Sequence, residues 1–238
     1  MVSPAGQAAL SDNAAIVDHR DVFVLALDEH HPSSELLDAL LSGGMRPIVV
    51  QVRRAGDLPD PVRVRAAIVV GSARSENAEL PREDDAKIDW LQRADTSGTT
   101  VMAIGHAARL LAVAFGGRMM PAERPLRGWA MVDTSVPHLI PAGPWLTWQH
   151  DLIWLPVHAN VLAHNRLGPQ VFGLGRHLGV MFHPEATRQT SLAWAELIDH
   201  RTCLLDGRDH DAASSSARRL LATFLSGISA PDRPPPDN

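Results

Sequence analysis

Cysteine and tyrosine are almost missing from this chain: among 238 residues there is one Cys, Cys203, and no Tyr. A single thiol excludes an internal disulfide and a cysteine-based metal cage, and it fits a reducing compartment, so a cytoplasmic location is the expectation. Basic charge is also scarce. The chain has 22 Lys and Arg against 27 Asp and Glu, a formal net charge of -5 at pH 7, and no dense Lys/Arg run occurs. No nucleic-acid partner is expected, because phosphate contacts need a basic face. No apolar run approaches the roughly 18 residues that span a bilayer. The opening Met1-Val-Ser-Pro-Ala-Gly-Gln7 has neither the charged nor the apolar region of a signal peptide. No membrane partner is expected either.

What is present is ordinary globular material, 45% hydrophobic and 21% charged, enough for one large α/β domain with a sizeable core. Residues 1–229 are expected to form that domain, after a loose polar lead-in over 1–20. The Pro-rich tail 230–238 is expected to be disordered. Asp21–Leu27 is a continuous apolar run, the pattern of a parallel strand buried on both faces; Pro47–Val52 and Ala66–Val70 are expected as the second and third strands, and Thr100–Ile104 as a further buried one. Ser33 or Ser34 is placed to cap a helix with Leu36, Leu37, Leu40 and Leu41 inward, ended by Gly43-Gly44. A second helix over 84–94 should bury Ile88 and Leu91 and half-bury Trp90. After Gly116-Gly117, short apolar runs at 129–132, 145–148, 152–154, 161–163, 171–172 and 179–182 suggest antiparallel additions to the sheet. Helices are expected again over 190–200 and 211–226, the latter with Ala217, Leu220, Leu221 and Phe224 on one stripe. The fold class is therefore α/β: an open, mostly parallel sheet with helices on both faces plus short antiparallel strands.

Three segments carry candidate chemistry. Thr100–Ile104 runs through a tight elbow at Gly105 into an apolar helix, the way many α/β hydrolytic enzymes hold up a nucleophile. Glycine at the elbow has no reagent to offer. Gly71-Ser-Ala-Arg-Ser75 is a small-residue loop at a strand's carboxyl end, where open α/β sheets place ligands. Gly179-Val-Met-Phe-His-Pro-Glu185 delivers His183 at a strand end with Glu185 two residues on, close enough to orient the imidazole and raise its basicity. A strand-end turn is the bland explanation of that tripeptide.

Taken together, these segments resemble the class I glutamine amidotransferase domain, the Cys-His-Glu glutaminase, over roughly residues 20 to 200. Ile104-Gly-His-Ala-Ala-Arg-Leu-Leu-Ala-Val-Ala-Phe-Gly-Gly117 is similar to that family's nucleophile block. Trp148-Gln-His-Asp151 with Leu155-Pro156, Val161-Leu-Ala163 and Gln170-Val-Phe172 is similar to its central run. Gly179–Glu185 is similar to its Gly-Val-Gln-Phe-His-Pro-Glu. The resemblance implies a flavodoxin-like sheet and puts the catalytic His and Glu on His183 and Glu185. It puts the nucleophilic Cys on Gly105, the elbow glycine on Ala107, the glutamine-holding Gln on Arg109, and the oxyanion loop on Gly71-Ser72-Ala73.

The departures decide the expected function. Glycine cannot form the family's thioester, and loss of a nucleophile from such a triad costs many orders of magnitude, so no ordinary glutaminase activity is expected. Gly105 should also enlarge the pocket. The elbow helix keeps free N–H groups and a positive dipole end, suited to an anionic small molecule. Gly71, Ser72, Gly105, His106, Arg109 and His150 are the ligand-binding candidates. His106 also reads as a polar first-turn residue, and Arg109 as either a cavity charge or a solvated helix residue. No tight metal-ligand spacing occurs, and neither metal nor cofactor is expected. Two readings stay open. One is a pseudo-glutaminase that binds a small ligand or a partner, which the family resemblance makes a synthetase or pathway protein. The other is a repurposed enzyme using His183 and Glu185 for acid–base chemistry.

Overall fold

A strand that is apolar at every position needs cover on both faces, and the chain supplies it from separate pairs of helices. The computed structural model describes residues 18–27, 32–71, 82–198 and 207–229. In chain order the elements are β1 (Asp21–Leu27), α1 (Ser34–Ser42), β2 (Arg46–Val52), β3 (Ala66–Val70), α2 (Asp85–Thr96), β4 (Thr100–Ile104) and α3 (His106–Ala114). There follow β5 (Arg118–Ala130), β6 (Asp133–Thr134), β7 (Trp145–Trp154), β8 (Asn160–Asn165), β9 (Gly168–Leu174), β10 (His177–Val180), α4 (Arg188–Ile198) and α5 (Gly207–Ser229). One sheet has the order β2-β1-β3-β4-β10-β9-β8-β6, and β5 and β7 make a separate two-stranded sheet. The ladder is parallel from β2 to β10 and antiparallel from β10 to β6. The first four strands have the flavodoxin-like order, so the expected α/β class is the one observed.

Strand alternation sends successive residues to opposite faces. Val22, Val24, Ile68, Met102 and Ile104 pack with Leu36 and Leu40 of α1 and with Leu220, Leu221 and Phe224 of α5. Phe23, Leu25, Val69, Val101 and Ala103 pack with Trp90 and Leu91 of α2 and Leu110 and Leu111 of α3. The α1 cap is Ser33, whose side chain accepts from Leu36 N–H at 3.2 Å.

Three local expectations are corrected. Leu41 is 57% exposed rather than inward, the buried face of α1 being Leu36 and Leu40. Trp90 is fully buried rather than half buried, because its indole Nε1 donates to Pro59 O at 2.6 Å and so carries no unsatisfied polar group inward. The runs at 145–148 and 152–154 are one strand, β7, continuous through Gln149, His150 and Asp151; these polar residues are buried and engaged rather than marking a turn. The lead-in 1–17, Ser72 to Ser75, Cys203 and the tail 230–238 lie outside the described residues. Among the described residues no helix is long and apolar enough to cross a membrane.

Candidate functional site

The site lies where β4 ends beside β10, at the carboxyl edge of the parallel strands. Gly105 has φ 60° and ψ -120°, a left-handed backbone that side chains rarely adopt. Its N–H donates to Val180 O of β10 at 2.8 Å, which ties the elbow to the neighbouring strand. Gly71, at the end of β3, is held equally close. A Cβ there would stand 2.7 Å from His106 Cβ and 2.8 Å from Ala107 N, so only glycine lets β3 approach the start of α3.

His183 sits directly across the elbow. Its backbone N–H donates to Leu146 O of β7 at 2.8 Å, and its Nδ1 is 2.8 Å from Glu185 Oε1. Both side chains are buried. An ionised carboxylate only accepts, so it places the proton on Nδ1 and leaves Nε2 as the basic nitrogen. A Cβ built on Gly105 would lie 2.8 Å from that Nε2 and 2.5 Å from Cε1. The enlarged pocket expected from the missing side chain is therefore not there: the imidazole occupies the volume a nucleophile's side chain would need.

The first turn of α3 turns the other two candidates inward. His106 is buried, its Nε2 2.9 Å from Asp84 Oδ2, while Asp84 Oδ1 accepts from Lys87 Nζ at 2.8 Å. Burial opposes ionisation of Asp84, but the bonds from His106 and Lys87 outweigh it and hold the carboxyl below its usual value. Arg109, three residues along the same face, is buried and 2.5 Å from Asp151 Oδ2 of β7, with Nε donating to Met119 Sδ at 3.2 Å. It is thus neither a solvated residue nor an uncompensated cavity charge. Burial pushes Arg109 below its ordinary value, against the pull of Asp151 and Asp84. Burial likewise pushes Asp151 up, against Arg109, His150 and His106.

His150 is buried on β7 and accepts at Nε2 from Arg127 Nε at 2.8 Å, which fixes its proton on Nδ1. The same guanidinium lies 5.4 Å from the Trp148 ring centre, a cation–π contact that holds β5 against β7. The fold thus gathers Gly71, Gly105, His106, Arg109, His183 and Glu185 around the elbow, with His150 beside Asp151. Ser72 lies outside the described residues. The partners that sequence inspection left unassigned are Asp84, Lys87, Arg127 and Asp151. Only Lys87, three residues after Asp84 across the start of a helix, carries a local signal of its pairing. Among the described residues no group of three or more His, Cys, Asp or Glu is arranged to hold a metal ion.

No family model matches the chain. In sequence, 96 residues are 35% identical to the glutamine-hydrolyzing GMP synthase of Thermomicrobium roseum, a stretch that is 37% of this chain and spans 18% of that protein's length. In structure, a glutamine amidotransferase from Methylobacillus flagellatus superposes with a TM-score of 0.76, at 16% identity, over 92% of this chain and 99% of the other. A glutamine amidotransferase from Thermotoga maritima superposes with a TM-score of 0.68, at 16% identity, over 86% of this chain and 98% of the other. The chain has the fold of these glutamine amidotransferases.

Proposed function

We propose that this chain is a glutamine amidotransferase-like protein without glutaminase activity, which binds a small ligand or a partner protein at the remnant of the hydrolytic site. The observation that carries this reading is the His183 imidazole seated over Gly105, its Nε2 2.8 Å from where a side chain would begin. Hydrolysis through a thioester needs a thiol at the elbow with the imidazole drawn back beside it. Here there is no thiol, and the base stands in its place. The Arg109–Asp151 pair gives independent support: the side chain at the position the family uses to hold glutamine is already neutralised by an internal carboxylate. The backbone N–H groups at the start of α3 remain the natural seat for an anionic group on a ligand. A synthetase or pathway protein is the partner the family resemblance supports.

The preserved bond between His183 and Glu185, 2.8 Å, favours one alternative, a repurposed enzyme in which His183 moves a proton on a small molecule without a covalent intermediate. The readings separate on His183→Ala. The repurposed enzyme loses all turnover of its substrate with the fold intact, whereas in the binding protein the change matters only through ligand or partner affinity.

The direct test is glutamate release from L-glutamine by the purified chain. No release above the reagent blank is expected, either from the wild type or from Gly105→Cys, where thiol and imidazole compete for one volume. Release by the wild type in the ordinary enzymatic range, about 1 per second or faster, would overturn the proposal.

A further inference from the structure

A concave site lies away from the elbow, at the carboxyl end of β2. It is a cavity of about 350 Å³ whose walls include Arg53, Arg54, Arg82 and Lys87, with Val52 and Leu58 as apolar surface. In a chain of net charge -5 this is a local reversal of sign, and the fold assembles it from two separate stretches, 52–58 and 82–87. Two of the four cations are matched by carboxylates: Arg54 Nε is 3.2 Å from Asp57 Oδ1, and Lys87 Nζ is 2.8 Å from Asp84 Oδ1. Arg53 and Arg82 have no ion pair among the described residues. The loop that presents the arginines is stiffened in advance, because Asp57 Oδ2 accepts from the backbone N–H of both Arg53 and Arg54 at 3.0 Å. Ala86 and Lys87 line the cavity from the first turn of α2, a twelve-residue helix, which adds the positive end of its dipole.

We propose that this cavity binds a phosphate group, free or as the monoester of a small metabolite, and that its occupancy is transmitted to the elbow. The guanidinium fork matches phosphate geometry, and the volume suits a phosphate with a short carbon skeleton against Val52 and Leu58. The transmission runs through Asp84. One of its oxygens holds Lys87, which lines the cavity, and the other holds His106, which begins α3 beside Gly105. Drawing Lys87 toward a bound dianion weakens its hold on Asp84 and raises the negative charge that faces His106. This site does not depend on the reading of the elbow as a remnant, since it shares no residue with His183, Glu185 or Gly105.

The test is calorimetric titration of the full chain with inorganic phosphate and with ribose 5-phosphate at low ionic strength. It is run on wild type and on the double variant Arg53→Gln/Arg82→Gln, which alters exposed side chains only. Saturable one-to-one binding is expected, weakened about tenfold or more in the double variant. Tighter binding of the ester identifies a metabolite, and equal binding identifies free phosphate. No saturable binding of either probe up to about 10 mM, or the same affinity in the double variant, overturns the site. In parallel, the His106 ring resonances of the wild type should shift along the same binding curve. Binding without that shift overturns the transmission to the elbow.

Discussion

Arg109 and Asp151 bring no net charge into the interior, yet burial works against the ionised form of each. Neither Asp151 oxygen has an aligned hydrogen bond among the described residues, so Asp151 is held to Arg109 by charge and proximity. Removing Arg109 strands the Asp151 carboxylate, and removing Asp151 takes away the carboxylate 2.5 Å from the Arg109 guanidinium. Arg109→Met or Asp151→Leu alone should cost about 3–5 kcal/mol in denaturant unfolding, while the double variant should come within about 1 kcal/mol of wild type or exceed it. Equal and additive losses would show that the two residues act separately. Such pairs mark the boundary of what was legible residue by residue. The His183–Glu185 contact could be read because its members are two positions apart at a strand end. Asp84 and His106, 22 positions apart on different elements, and Arg109 and Asp151 meet only through the topology, and no periodic pattern announces them. The seat of His183 over Gly105 was likewise hidden, since it depends on how β7 holds the His183 backbone.

At the scale of elements, legibility followed burial. β1, β3 and β4 are buried on both faces and stood out as unbroken apolar runs, and Ser33 and the Ala217–Phe224 stripe marked α1 and α5 by their chemistry. Of β5 only the end, Trp129-Ala130, stood out, because the rest is mostly exposed and carries Arg, Glu and Pro. β7 was divided because its buried centre is polar. The junction of α2, α3 and β10 has a titratable hinge pin in His177. It is buried, 3.1 Å from Asp95 Oδ1 at the end of α2 and 5.4 Å between ring centres from Phe115 after α3. Burial lowers its pKa from 6.5, with Asp95 opposing. The unfolded chain therefore takes up this proton first as pH falls, so the contribution is complete above pH 6.5 and is lost progressively below it. Unfolding free energy should fall on acidification from about pH 7 to pH 5, and His177→Gln should flatten that slope. An unchanged slope would assign the dependence to other groups.

Across the whole molecule the sheet divides at β10. On one side lie the parallel strands, of which β1, β3 and β4 are paired on both edges and buried on both faces while β2 is the edge; on the other lie antiparallel strands. The elbow sits on that seam, roofed by β7, whose only strand partner among the described residues is β5 apart from the single bridge Leu146–His183. The β5–β7 ladder is itself interrupted, shifting register between Pro121 and Leu126. Local stability follows buried contacts and continuous ladders, so the molecule should open unevenly. Native-state hydrogen exchange should find the amides of β1, β3 and β4 protected up to the global unfolding free energy. Those of β5 should exchange through a cheaper, sub-global opening, with β7 between. Because β7 carries Asp151, His150 and the carbonyl that receives the His183 N–H, that opening would uncover the buried site without unfolding the parallel half. A ligand or partner that enters there should then bind at a rate limited by this opening. If β5 exchanges as slowly as β4, the site opens only with the whole domain, and a partner must instead recognise the closed surface.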